Sequence, residues 1–135
     1  MHPLRKLRES GSATPAQVSA LLSENIVFNS PILARSIQGR EAIAAIFAQS
    51  SSTRGSGAYT AEYKLDVRTT FLRWEGTMDG HKIESLEIII DDEQGLMLER
   101  TIALRPFPAV KLFRDAMYAS LKDKLPPDVW DYPAP

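Results

Sequence analysis

The run His81–Arg105, HKIESLEIIIDDEQGLMLERTIALR, decides how the rest of the chain is read. Its halves, KIESLEIIID and LMLERTIALR, are rich in apolar and β-branched residues. Between them Asp92-Glu93-Gln94-Gly95 is a polar tetrapeptide ending in glycine, which tolerates positive φ. That is the pattern of a β-hairpin with a four-residue loop. With Asp91 set opposite Leu96, Glu87 falls directly across from Arg100. Both then share a face with Ile83, Ser85, Ile89, Leu98, Ile102 and Leu104. A carboxylate and a guanidinium persist on an apolar strand face when they pair or when they serve a function.

Upstream, Asp79-Gly80 is a strong two-residue hairpin signal. It joins the central hairpin to a strand over Thr69–Met78, with Leu72, Trp74 and Met78 on one face and Phe71 on the other. Before that, Tyr59, Ala61, Tyr63, Leu65 and Val67 alternate with Thr60, Glu62, Lys64 and Asp66, the pattern of a half-buried strand. Four consecutive strands make an antiparallel meander, and Pro106 and Pro108 end it. Val110, Phe113, Met117 and Leu121 are then the apolar stripe of a helix reaching about Lys122. The proline-rich tail LPPDVWDYPAP is expected to dock Trp130 and Tyr132 on something apolar.

Toward the N-terminus, Ser50–Gly57 (SSSTRGSG) reads as a mobile loop. Arg40–Gln49 reads as a helix with Ile43, Ile46 and Phe47 inward, after a turn at Gln38-Gly39. Ile26-Val27-Phe28 is a short strand running into Asn29-Ser30-Pro31. Thr14 and Pro15 form a helix start, with Val18, Leu21 and Leu22 as its stripe and Asn25 as its stop. His2–Ser10 has two readings, one helical turn or a frayed terminus, and fraying is the commoner outcome. The predicted class is α+β, with helices segregated to one face of a curved antiparallel sheet. We read residues 1–135 as a single domain, with 1–13 and 123–135 as terminal extensions.

A chain of 135 residues is long enough for one hydrophobic core without staples. A net charge of −1 and the lack of a Lys/Arg cluster argue against a nucleic-acid partner. With no cysteine there is no thiol nucleophile, disulfide or thiolate metal site. No apolar run has the length to span a bilayer, and no signal-peptide core follows the basic N-terminus. The expected location is the cytoplasm. The two histidines lack zinc spacing, so neither a metal nor a cofactor is expected.

The segments Ile26–Pro31 and Gln38–Ile43, with Asp79-Gly80, Ile83–Glu87, Asp92–Gly95 and Leu104-Arg105-Pro106, together resemble the nuclear-transport-factor-2-like superfamily. They are most similar to its SnoaL-like branch, related to polyketide cyclases and ketosteroid isomerases. The resemblance runs from about Thr14 to Leu121. It implies a cone-shaped fold, a strongly bent sheet wrapped around helices with an apolar pocket between them, often dimeric through the outer sheet face. In ketosteroid isomerases the general base is an Asp before a Pro after the first strand. Ser30 stands at that position, and serine cannot hold a proton taken from carbon at neutral pH. The second isomerase carboxyl, a protonated oxyanion donor, matches Glu87.

Glu87 is therefore the candidate catalytic residue, as a proton donor of raised pKa or an acid/base. The competing reading is a cross-strand salt bridge to Arg100 that closes the pocket floor. Arg100 is its partner or the holder of an anion, since a guanidinium has more donors than one carboxylate uses. Trp74 is a stacking wall or a core tryptophan, and Tyr59 and Tyr63 are oxyanion donors or packing residues. Phe28, Ser30, Ser85 and Leu104 complete the candidate ligand-binding set. Asn29 and Ser30 have the alternative role of forming the turn before Pro31. His81 reads as a solvated rim residue, His2 as a terminal one. Glu84, Glu99 and Arg105 alternate to the opposite sheet face, toward solvent or a dimer partner.

Two functions remain in view. One is binding of an apolar or semi-polar small molecule, in its finer form cofactor-free isomerisation, cyclisation or dehydration through Glu87. The other is a non-catalytic, dimeric binding or interaction module whose pocket its own side chains fill. Cavity volume discriminates them.

Overall fold

A computed structural model describes residues 1–131. The two strongest local signals hold. Strands β4 (Thr69–Met78) and β5 (His81–Asp91) meet at Asp79-Gly80, where both φ angles are positive, 48° and 79°. This is the primed two-residue turn whose twist suits the flanking strands. β5 and β6 (Met97–Arg105) are joined by the Asp92–Gly95 loop. The Asp92 carboxylate accepts from the Gln94 and Leu96 amides at 2.9 Å each, and Gly95 takes φ 84°.

The register of this hairpin differs from the expected one. Glu87 pairs with Ile102 and Arg100 with Ile89, a shift of two residues. Two single steps cause it: Asp91 pairs with Met97 and not Leu96, which lengthens the loop by one, and a bulge at Leu98 adds the second, pairing Ile90 with Glu99. A shift of two preserves the face of every side chain beyond it, so Glu87 and Arg100 both remain inside. Leu98 itself is displaced to a half-buried position, and Met97 takes the core place instead.

β3 (Gly57–Lys64) carries a second bulge, at Thr60. Tyr59 lies opposite Trp74 and is buried, but beyond the bulge the faces exchange. Glu62 pairs with Leu72 on the inner side, while Tyr63 pairs with Phe71 on the outer. The strand ends at Lys64 rather than Val67, and Leu65 and Val67 are exposed.

β1 (Leu22–Asn29) pairs with β6 in parallel and with the two-residue β2 (Ile37–Gln38) in antiparallel. The sheet, ordered β2-β1-β6-β5-β4-β3, is thus mixed, not wholly antiparallel. The meander is antiparallel as expected. Helices α1 (Pro3–Glu9), α2 (Pro15–Ser19), α3 (Arg40–Thr53) and α4 (Phe107–Leu121) complete the chain, with a 3-10 turn at Pro127–Val129. The α+β architecture stands.

Local chemistry explains the helix starts. Thr14 and Gln17 form a reciprocal capping box on α2, which ends at Ser19, so Leu22 opens a strand instead of finishing a helix at Asn25. The N-terminus is helical, not frayed: the His2 ring accepts from the Leu4 amide at 3.1 Å, and Leu4 enters the core. α3 continues four residues past Gln49, through the first half of the stretch expected to be a mobile loop. At the other end Leu125, Val129 and Trp130 are buried against the chain's own core, joined by a Val129 carbonyl accepting from Ala34 at 2.7 Å. Tyr132 lies outside the described residues.

Candidate functional site

Alternation along β5 sends Ile83, Ser85, Glu87 and Ile89 inward. β6 adds Arg100, Ile102 and Leu104 on the same side. The ion pair forms on the diagonal: Arg100 Nη2 donates to Glu87 Oε2 at 2.8 Å, with Glu87 1% and Arg100 3% exposed. Glu87 Oε1 and Arg100 Nε find no partner among the described residues.

A second buried guanidinium, which sequence reasoning missed, joins them. Arg54 caps the C-terminus of α3 and is 7% exposed. Its Nη1 reaches Ser85 Oγ only at 3.5 Å, and its Nε has no partner among the described residues. It lies between two rings, its guanidinium carbon 5.0 Å from the Trp74 centroid and 5.6 Å from that of Phe113. Arg100 lies 4.4 Å from the Phe47 centroid in the same way. Such cation–π contacts offset part of the desolvation of each charge, and are each worth about 1–2 kcal/mol in dry surroundings. A signal was present in the sequence. Positions 43, 47, 50 and 54 continue the inward helical spacing through the polar run.

Trp74 occupies its place because two neighbours lack side chains. A Cβ on Gly57 or Gly76 would lie 2.3 Å from the indole. The ring therefore lies over the Gly57–Gly76 pair, and Tyr59 stands beside it, accepting from Arg8 Nη1 at 3.0 Å.

The electrostatics oppose the proton-donor role expected of Glu87. Burial pushes its carboxyl upward, but Arg100, Arg54 and Arg8 outweigh that and hold it below the usual carboxylate range. Glu87 is ionised at neutral pH. Burial pulls the Arg54 guanidinium down to about 9, aided by Arg8 and Arg100 and opposed by Glu87, so it stays cationic. Burial also raises the Tyr59 phenol, which stays protonated.

Between α3, α4, β1, β6 and the Leu125–Trp130 segment lies a cavity of about 20 Å³, room for roughly one water. Its walls are apolar, with Phe47, Ile102, Phe113, Met117 and Trp130 prominent, and Arg54 and Arg100 supply the charge. Of the predicted residues, Phe28, Ser30, Arg100 and Leu104 line it. Ser85 and Glu87 touch its arginines instead. Trp74 faces a separate open cleft of about 220 Å³ shared with Arg8, Tyr59 and Arg54. Tyr63 is not at the site; it is 63% exposed on the outer face, stacked on Phe71. Ser30 Oγ accepts from the Ile32 amide at 3.2 Å, a turn-forming bond. Asn29 is on the outer face, donating to Thr101. His81 is exposed, whereas His2 is buried and lies 3.1 Å from both oxygens of Asp91.

No family model and no curated protein matches the chain. Solved structures do. One is an uncharacterised bacterial protein with a cystatin-like fold from Silicibacter pomeroyi, with TM-score 0.82, 22% identity and 92% of this chain and 89% of that one covered. Another is a steroid delta-isomerase from Pseudomonas aeruginosa, with TM-score 0.79, 18% identity and 87% and 85% covered. A third is an NTF2-like protein of unknown function from Cytophaga hutchinsonii, with TM-score 0.58, 16% identity and 79% and 87% covered. At these identities the likeness is one of fold, and the fold of this chain is the nuclear-transport-factor-2-like one that the sequence resemblance implied.

Proposed function

We propose that this protein binds a small, largely apolar molecule between α3, α4 and the sheet, where the cavity of about 20 Å³ enlarges to admit it. The observation that carries the reading is an apolar chamber into which two buried guanidinium groups converge. The fold likeness to a steroid delta-isomerase supports an apolar occupant. Isomerase chemistry led by a carboxyl fits poorly, because Ser30 stands at the base position and Glu87 is held ionised. Glu87 acts here as a counter-charge that keeps Arg100 aimed at the chamber.

The small free volume favours a second reading, an interaction module whose interior is closed by its own side chains. Native mass spectrometry of wild type and Met117→Trp against a mixed library of hydrophobic acids, ketones and aromatics separates the two. Retention by wild type and loss in the cavity-filled variant is expected. No retained molecule in either, with both folded, moves the conclusion to the module.

We also propose that two copies associate through the outer sheet face, where Tyr63, Leu86 and Ile88 are exposed beside Leu65 and Val67. Sedimentation of wild type beside Ile88→Lys tests this. A dimer that the lysine splits is expected, and a wild-type monomer at micromolar concentration rules it out.

A further inference from the structure

The charges around the chamber do not balance. Arg54, Arg100 and Glu87 are each more than nine-tenths buried, two cations against one carboxylate. Of the groups acting on Arg54, which are Arg8, Glu87, Arg100 and the Tyr59 phenol, Glu87 alone is a carboxylate. Arg8 adds a third cation at the edge, its guanidinium carbon 5.6 Å from the Tyr59 centroid. Hydrogen bonding is equally incomplete. Each guanidinium has five N–H groups, yet Arg100 places one on Glu87 and Arg54 makes a single long contact to Ser85. Both Nε–H groups are buried and have no partner among the described residues. A buried donor without an acceptor costs about 1–3 kcal/mol, and a buried unmatched charge costs more.

We propose that this site takes the carboxylate of a small apolar acid, held jointly by Arg54 and Arg100, with its hydrocarbon part among Ile102, Phe113 and Met117. The proposal rests on the cavity reading above and names the class of its occupant. Charge selects a monoanion, since one negative charge balances the buried excess while a dianion would reverse it. Donor chemistry selects an oxyanion, since a carboxylate offers several acceptor positions to the N–H groups of two guanidiniums. The apolar walls select an organic acid over an inorganic ion. The chamber as it stands admits one water, so an acid enters as Leu125 and Trp130 move outward. That closing segment is held by Val129 to Ala34 at 2.7 Å, by the exposed Arg35–Asp128 ion pair at 2.9 Å and by Arg114 to the Trp130 carbonyl at 3.3 Å.

The test titrates the full chain with acetate, butyrate and benzoate beside their primary amides, following the arginine Nε–H resonances and tryptophan fluorescence. Benzoate is expected to bind at least about tenfold tighter than benzamide, the difference of a charge-assisted bond. The Nε–H signals of Arg54 and Arg100 should shift together. Arg54→Met should abolish the preference for benzoate over benzamide. Glu87→Gln, which removes the counter-charge, should tighten benzoate. Equal binding of benzoate and benzamide overturns the anion assignment while leaving the cavity reading intact. Binding of neither overturns both. Selective benzoate binding with unmoved Nε–H signals places the anion elsewhere, on the Arg8 cleft, and also overturns it. If a variant does not fold, the wild-type selectivity and the two resonances decide.

Discussion

The two faces of β5 carry the same kind of contact in opposite surroundings. On the inner face Glu87 meets Arg100 at 2.8 Å, with both side chains almost fully excluded from water. On the outer face Glu84 meets Arg73 at 2.5 Å, with Arg73 42% exposed, and Arg105 approaches at 3.7 Å. Distance does not distinguish them; solvent does. Outside, water and salt screen the pair, and either charge released is rehydrated at once. Inside, a released charge has nowhere to go, and a third charge, Arg54, has no carboxylate hydrogen-bonded to it among the described residues. The lesson is that a strand's alternation assigns an ion pair its role by assigning it a face.

The sharpest way to break this comparison is to remove one inner partner. Glu87→Ala leaves Arg100 and Arg54 buried together without a counter-charge, and a loss of about 3–5 kcal/mol in urea unfolding is expected. A loss no larger than that of an outer-face variant would dissolve the distinction. Acid titration sharpens the same point. The Glu87 carboxyl is held below its unfolded value, so near pH 4 the folded chain binds fewer protons than the unfolded one. Its contribution is present above about pH 4.3 and is lost as pH falls through the folded value. The acid limb of a stability–pH curve should be steeper in wild type than in Glu87→Gln.

The wall behind Arg54 is next in size. Gly76→Ala sets a Cβ 2.3 Å from the Trp74 ring and 2.6 Å from the Ser56 carbonyl, so the indole must leave its cation contact. A destabilisation of about 1–3 kcal/mol and a shifted tryptophan emission are expected. Unchanged emission would show that Trp74 does not depend on the glycine. The smallest effect belongs to the outer pair. Arg73→Ala should leave the urea midpoint within experimental error and remove only a salt-sensitive increment. A large loss there, measured at a concentration where the chain is monomeric, would dissolve the distinction between the faces.

Much of this was legible along the chain. Asp79-Gly80, the Asp92–Gly95 loop, the limits of β4 and the stripe of α4 follow from local turn chemistry and periodicity. Glu87 and Arg100 face inward in either register, because the longer loop and the bulge at Leu98 each shift pairing by one and together conserve parity. The bulge at Thr60 shifts parity by one within β3, and Tyr63 went to solvent for that reason. Arg54 was hidden differently. Its neighbours Ser50–Thr53 and Gly55–Gly57 have the composition of a loop, and only the length of α3 reveals that the arginine faces inward. His2 and Leu4 look like an unanchored end until Asp91 and the core are seen to hold them.

By itself the sequence determined the order of the four-stranded meander and its flanking helices, the inward facing of Glu87 and Arg100, and the presence of one acid–base pair on that apolar side. These depend on contacts between residues close in sequence, where backbone geometry allows few alternatives. Only the tertiary structure decided that the pair is ionised, that Arg54 completes it, and that Trp130 closes the chamber over them. Burial, dielectric and the sum of charges around a point belong to residues brought together from distant parts of the chain. No local pattern contains them.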